Sequence, residues 1–259
     1  AIDQSSKQNY LFNTGIVNIE KSDLVLLIGA DIRNSLPILG ARIRKAYLGN
    51  NLKIYSIGKI KDQTFPVEYL GDDPALLTAI ANKKGAFAKI LSKAKNPMII
   101  VGNNIYQRKD SEAILASIHD IIFSYSNFIR PDWNGFNVLH THTGTINAIA
   151  LGFADKSMEN IYKNVKSGKI KLVYLHGADE FQDRAFDNVF VIYQGHHGDK
   201  GAGIADIILP GAAYTEKDAT YINLEGKAQK AYRAIDPPGS AQEDINIFGM
   251  IMQEMDITD

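Results

Sequence analysis

"DLVLLIGADIRNSLPILGARIRKAYLGN", residues 23 to 50, decides the architecture. Its opening residues are apolar without alternation and stop at Gly29-Ala30. A strand with one wet face alternates; a strand apolar throughout is buried on both faces, as in a parallel sheet sandwiched by helices. The residues that follow read as a helix, with cations toward its end and Gly49 where a C′ glycine belongs. Strand, glycine turn and helix are the repeating half of a βαβ unit.

The same signature recurs outward along the chain. "NPMIIVG" (96–102) and "IKLVYLHGA" (170–178) are short apolar runs ending in Gly or a small residue. "LKIYSIG" (52–58), "NVFVIYQG" (188–195) and "ADIILPG" (205–211) are shorter partners. Helix signals separate them. Asp73-Pro74 reads as an N-cap with proline at N1, opening "PALLTAIANK". Asp110 is expected to cap "SEAILASIHDIIFSY", and Ser157 to cap "MENIYKNVKS", closed by Gly168. Ser240 and Glu243 have capping-box spacing ahead of the final helix, and "KGAFAKILSKAKNP" is expected to be a helix ending at Asn96-Pro97. Strands alternating with helices give an α/β class with parallel sheets. The pattern divides into two doubly wound units, residues 1–95 and 96–259, each Rossmann-like.

Composition excludes several functions. With 28 Lys and Arg against 29 Asp and Glu, the net charge of −1 carries no basic excess for nucleic acid. The chain has no cysteine, so it can hold neither a disulfide nor a cluster ligated by its own thiolates. No apolar run approaches the roughly 18 residues of a membrane span, so no direct membrane insertion is expected. The opening "AIDQSSKQNY" lacks an initiator Met and a signal pattern, which suggests a piece of something longer.

Individual residues mark several candidate sites. Gly29 sits where open α/β sheets bind ligands, yet "GADIRN" lacks the G-x-G-x-x-G spacing for a pyrophosphate. The next strand tip reads Gly58-Lys59, with no acid to grip a ribose hydroxyl. "LEGKAQ" lacks the upstream glycine and the following Ser or Thr of a P-loop. His196-His197 and His140/His142 could ligate a metal, but neither pair carries a metal motif, and none is expected. No nucleophile elbow occurs, so no catalytic residue is assigned. The glycines of "GDKGAGIAD" point to a loop with positive φ angles that could expose backbone N–H groups to an anion or pack against a neighbour. Trp133 and the "YQGHHGD" loop are candidates for a partner-facing surface, with core capping the alternative for Trp133.

"ADIILPGAAYTEKDATYINLEGKAQ" (205–229) resembles the signature of the molybdopterin oxidoreductase superfamily, through Leu209-Pro210, Glu216-Lys217, Thr220, Asn223, Glu225-Gly226 and Gln229. The preceding "YQGHHGDKGAGIAD" and the following "PPGSAQED" are similar to the large iron–sulfur subunit of respiratory complex I. So are "NPMIIVGNNIYQRKDSEAIL" and "VYLHGAD", and the resemblance covers essentially the whole chain. It implies two units of the molybdopterin oxidoreductase, formate dehydrogenase-like type, and a place in NADH:quinone electron transfer.

The resemblance further implies that 2Fe–2S and 4Fe–4S clusters lie in an N-terminal region with cysteine ligands, outside this chain. Molybdenum is not expected, because Gly58-Lys59 replaces an acidic strand tip and His197-Gly198-Asp199 stands where relatives carry a Thr-Glu-Thr-like segment. His196, His197, Asp199, Glu216 and Lys217 are then candidates for a vestigial cofactor site. Implied partners are the other peripheral-arm subunits, at the inner membrane on its cytoplasmic or matrix side. Alternatives are a piece of a true molybdenum enzyme and a small-anion-binding module.

Overall fold

In the computed structural model, which describes residues 3–60, 62–153 and 158–257, the chain forms two units. One comprises Ala1–Ala150 with Ile222–Lys227, the other Leu151–Tyr221 with Ala228–Asp259.

The first unit is built on a five-stranded sheet of order β3-β2-β1-β4-β7, from β1 (Leu24–Ile28), β2 (Lys53–Ile57), β3 (Glu68–Gly71), β4 (Pro97–Val101) and β7 (Phe136–Val138). Every pairing in it is parallel. β1 is buried along its whole length, and its residues divide by parity between two cores. Leu24, Leu26 and Ile28 pack with the isoleucines of α5 (Ser111–Ser124), and Val25 and Leu27 with Leu39, Ile43 and Ala46 of α2 (Pro37–Asn50). Alternate strand residues face opposite ways, so a sheet covered on both faces needs an apolar residue at every position. Each such side chain contributes about 1.5–3 kcal/mol through burial.

A boundary near residue 95 would fall between β1 and β4, which pair over five residues from Leu24↔Pro97 to Ile28↔Val101. The division therefore lies after residue 150, because the second strand-helix unit completes the first unit's sheet. Other elements here are α1 (Ile32–Ser35), α3 (Ala75–Ala81), α4 (Ala86–Leu91), α6 (Thr145–Ala150) and a small antiparallel pair, β5 (Ile129–Arg130) with β6 (Trp133–Asn134). α4 ends well before Asn96. Lys21 O and Asp23 instead hold the Lys95-Asn96 segment in place, Asp23 by accepting both their backbone N–H groups.

Several expected caps differ. α2 runs through Gly49 and ends at Asn51, whose φ of 55° is left-handed, a conformation asparagine tolerates. Asp110 occupies the N-cap position of α5, but its carboxylate turns to the Arg108 guanidinium in two 2.7 Å bonds. Asp73 behaves as expected: its Oδ1 accepts from Ala75 N at 2.8 Å with Pro74 already helical. The cap at Ser157 lies outside the described residues.

The second unit holds a parallel sheet of order β10-β9-β8, from β8 (Leu172–His176), β9 (Phe190–Gly195) and β10 (Ile207–Pro210), with α7 (Met158–Lys166), α8 (Lys200–Ile204) and α9 (Asp244–Glu254). Its core centres on Val165, Leu175, Phe181, Phe186, Val191 and Tyr193. Gly168, at φ 72°, closes α7 as expected. Glu243 itself is the N-cap of α9 and makes no side-chain cap, so Ser240 and Glu243 form no capping box. β11 (Ala219–Ile222) and β12 (Ala228–Ala231) form a two-stranded ribbon. Its turn belongs to the first unit, where Leu224 O accepts from Phe12 N at 2.8 Å and Glu225 Oε1 from Ile16 N at 2.5 Å.

Trp133 is core rather than surface. It is 6% exposed, packs with the α2-side cluster, and donates Nε1–H to Pro97 O at 2.9 Å.

Candidate functional site

In the first unit, the direction of strand succession reverses between β1 and β4: β2 and β3 lie to one side of β1, and β4 and β7 to the other. Such a switch point leaves a crevice beyond the carboxyl strand ends. Here it is a cavity of about 580 Å³ with Gly29, Asp31, Gly58, Lys59, Asp72 and Arg108 among its lining. The strand ends are brought close by missing side chains. A Cβ at Gly102 would lie 2.0 Å from Gly29 O.

The size suits a nucleotide, but the donor set does not suit a pterin dinucleotide. Asp31 places its carboxylate at the start of α1, accepting from Asn34 N at 3.4 Å and from Asn34 Nδ2 at 2.7 Å. An incoming pyrophosphate would meet that negative charge where a backbone N–H cradle is needed. Arg108 is committed to Asp110. The β2 tip presents Lys59 where a ribose hydroxyl needs an acceptor. These residues do not fit such a cofactor.

In the second unit, the sequence candidates separate. His196 and His197 stack edge to face, ring centroids 4.6 Å apart, on an exposed turn beyond β9. Asp199 takes the N-cap position of α8 without a capping bond. The Gly201 N–H is not left for an anion but donates to Asp179 Oδ1 at 2.6 Å. Glu216 closes a local turn, its Oε2 accepting from Ala213 N at 2.9 Å. Among the described residues no group of three or more His, Cys, Asp or Glu is placed to hold a metal ion.

Lys217 alone enters a cluster. Its ammonium pairs with Asp244 Oδ2 in the first turn of α9. Asp244 Oδ1 accepts from His176 Nε2 at 3.1 Å, at the end of β8, and from Gln194 Nε2 at 2.7 Å, near the end of β9. The Tyr174 hydroxyl donates to Gln194 Oε1, and the Phe248 ring lies edge-on to His176 at 5.4 Å. The His176 imidazole, opposed by desolvation and reinforced by Lys217 and Gln194, holds the Asp244 carboxyl well below its ordinary range. With both oxygens engaged, Asp244 works as a fixed anion that ties two strand ends to a helix. It is not placed to trade protons.

Sequence reasoning passed over Asp244, His176, Gln194 and Tyr174. The one local signal was Gln194, a polar residue in an otherwise apolar strand, which is wholly buried.

Two α/β units built on open parallel sheets, one with a cavity and the other with a polar cluster at its carboxyl strand ends, place the chain in the doubly wound class of α/β folds. Residues 1–254 match the molybdopterin oxidoreductase family, and the chain belongs to it. It is 45% identical over 247 residues to the NADH-quinone oxidoreductase G subunit of Rickettsia typhi, covering 95% of this chain and 35% of that protein. It is 43% identical over 244 residues to the NADH-ubiquinone oxidoreductase 75 kDa subunit of Reclinomonas americana, covering 93% and 35%. The chain thus spans about a third of the length of the curated relatives it matches. Among solved structures, the formyltransferase/hydrolase complex (FhcABCD) from Methylorubrum extorquens, in complex with methylofuran, superposes with a TM-score of 0.66. That match has 13% identity and covers 98% of this chain and 81% of that one. At such identity the likeness concerns the fold alone.

Proposed function

We propose that this chain is an architectural part of the large iron–sulfur subunit of a proton-translocating NADH:quinone oxidoreductase, without catalysis of its own. The observation that carries this is 43–46% identity along 93–95% of the chain to subunits of that enzyme from several organisms. Two physical features support it. With no cysteine, the chain can hold no iron–sulfur cluster by its own thiolates, so those clusters would sit in the remainder of the longer subunit. The side chains best placed to meet a cofactor are spent on internal pairs, Lys217 with Asp244 and Arg108 with Asp110.

On this reading the whole complex passes electrons from NADH to quinone, and this region braces the electron-carrying part and docks other peripheral-arm subunits. The subunit would lie at the membrane surface, on the cytoplasmic side in a bacterium or the matrix side in a mitochondrion. Among the described residues no helix is long and apolar enough to cross a membrane.

The test is elemental analysis of the full-length subunit, combined with removal of this region from the assembled enzyme. Iron without molybdenum, and loss of assembled NADH:quinone activity on removal, is the expected result. Molybdenum approaching one per subunit would replace the reading with a true molybdenum enzyme. Unchanged assembly on removal would leave the region without the bracing role.

A further inference from the structure

Where β1, β4 and β7 end, the backbone turns at Gly29, Gly102 and Leu139 pack closely. His140 follows directly, 5% exposed. Its Nε2 lies 2.6 Å from the Tyr10 carbonyl oxygen. A carbonyl offers only lone pairs, so Nε2 must carry the proton and donate it. Nδ1 of the neutral ring is then an acceptor. It is shielded from solvent, and no donor among the described residues reaches it. Protonating Nδ1 is a poor remedy, because burial pushes the His140 pKa below its ordinary value, against the small opposing effect of the Tyr10 bond. Buried polar atoms in native proteins overwhelmingly have a partner.

A cavity of about 30 Å³ adjoins, lined by His140 with Ser35, Asn103 and Thr141 among others. A buried water needs about 10–15 Å³ or more of such space and two to four polar partners. The lining supplies them. Asn103 Nδ2 donates to Thr141 Oγ1 at 3.0 Å, so the Thr141 hydroxyl keeps its own proton for another acceptor. A transition metal lacks ligands, since no three metal-binding side chains converge among the described residues.

We propose that His140 and this cavity form a binding site for a single hydrogen-bond donor of one heavy atom, water or ammonium, which His140 Nδ1 accepts from and the Thr141 and Asn103 turn encloses. The site fixes the N-terminal Tyr10 strap and the carboxyl ends of three strands through one imidazole. It is independent of the role proposed for the region as a whole.

The experiment is a high-resolution density map of the intact protein, prepared once in sodium chloride and once in ammonium chloride, with melting curves in both salts. A single compact peak at about 2.7–3.2 Å from His140 Nδ1 is expected. Equal melting temperatures would identify the occupant as water; a saturable rise in ammonium alone would identify ammonium. The peak should vanish in His140→Phe and weaken in Thr141→Val. If His140→Phe does not fold, the wild-type maps decide. Absence of the peak, a protein oxygen resting directly on Nδ1, or a peak undiminished in both variants would overturn the proposal.

Discussion

Replacing Asp244 should loosen the second unit more than any other single change near the sequence signature. Asp244→Ala strands three donors at once. Gln194, wholly buried, keeps an amide proton with no acceptor, which costs about 1–3 kcal/mol. The Lys217 side chain, 21% exposed, loses its counter-charge. A fully buried pair broken on one side costs about 3–5 kcal/mol, and this partly wet one about half of that. His176, 51% exposed, adds at most about 1 kcal/mol because solvent screens it. These overlap, so the net is about 3–4 kcal/mol. Hydrogen exchange of β8 and β9 amides in the intact protein reads this as local opening, about a hundred- to a thousandfold faster. Asp244→Asn keeps an acceptor for Gln194 and should show about half the effect on the free-energy scale. A change below about tenfold for Asp244→Ala would refute the argument that this carboxylate holds the strand ends.

The pH dependence gives a second reading of the same residue. The folded pKa of Asp244 lies below its ordinary 3.8, so the unfolded chain takes up a proton first as pH falls. The stabilisation is therefore fully present above about pH 5 and is lost as acid carries the solution below about 4 toward the folded value. The gap between wild type and Asp244→Asn should be flat from about pH 8 to about 5 and close below that. A gap that closed instead near neutrality would assign the effect to a histidine.

His140, with its folded pKa below the ordinary 6.5, should contribute stability present above that value and lost as pH drops beneath it. His140→Gln, which can still donate to Tyr10, should flatten the slope of stability between about pH 7 and 5 in melting experiments. Gly102→Ala should cost about 3 kcal/mol or more, since its Cβ would meet backbone at 2.0 Å from Gly29 O rather than a movable side chain. Gly49→Ala, where nothing lies within 4 Å, should stabilise α2 by about 0.5–1 kcal/mol; denaturant titration of the two variants separates close approach from helix propensity. Trp133→Ala should lower stability by about 3–5 kcal/mol. If assembly with partner subunits failed while the fold stayed intact, the core assignment of Trp133 would be wrong.

β1, β2 and β4 were legible because double burial writes an unbroken hydrophobic signature that needs no long-range information to read, and β8, β9 and β10 carry the same apolar runs although they are only partly buried. Helix ends were less legible. Gly49 and Asn51 both suit a helix terminus, and the choice fell to Asn51, whose φ of 55° closes α2 before β2 starts at Lys53. Asp110 looked like a cap because local spacing cannot reveal that Arg108, two residues back, offers its carboxylate a bidentate partner. The domain boundary failed for a related reason: a βαβ repeat near residue 96 looks alike whether it opens a new sheet or extends an existing one. Only the β1–β4 register decides between them.

The polar cluster lies beyond any such local reading. Asp244 meets Lys217 across 27 residues and Gln194 across 50, and no periodicity links positions so separated. What the sequence did carry was Lys217, through a resemblance rather than through local chemistry, and the cluster accounts for its place in the fold without a cofactor. Once its ammonium binds Asp244, it is no longer free to neutralise a phosphate. A cofactor site drawing on Lys217 and the brace that the structure contains are therefore mutually exclusive uses of the same side chain. A ligand that claimed Lys217 would have to offset the loss of Asp244's counter-charge, about 2 kcal/mol for a pair this wet. That alone weakens affinity roughly thirtyfold, before any contact with the ligand is made.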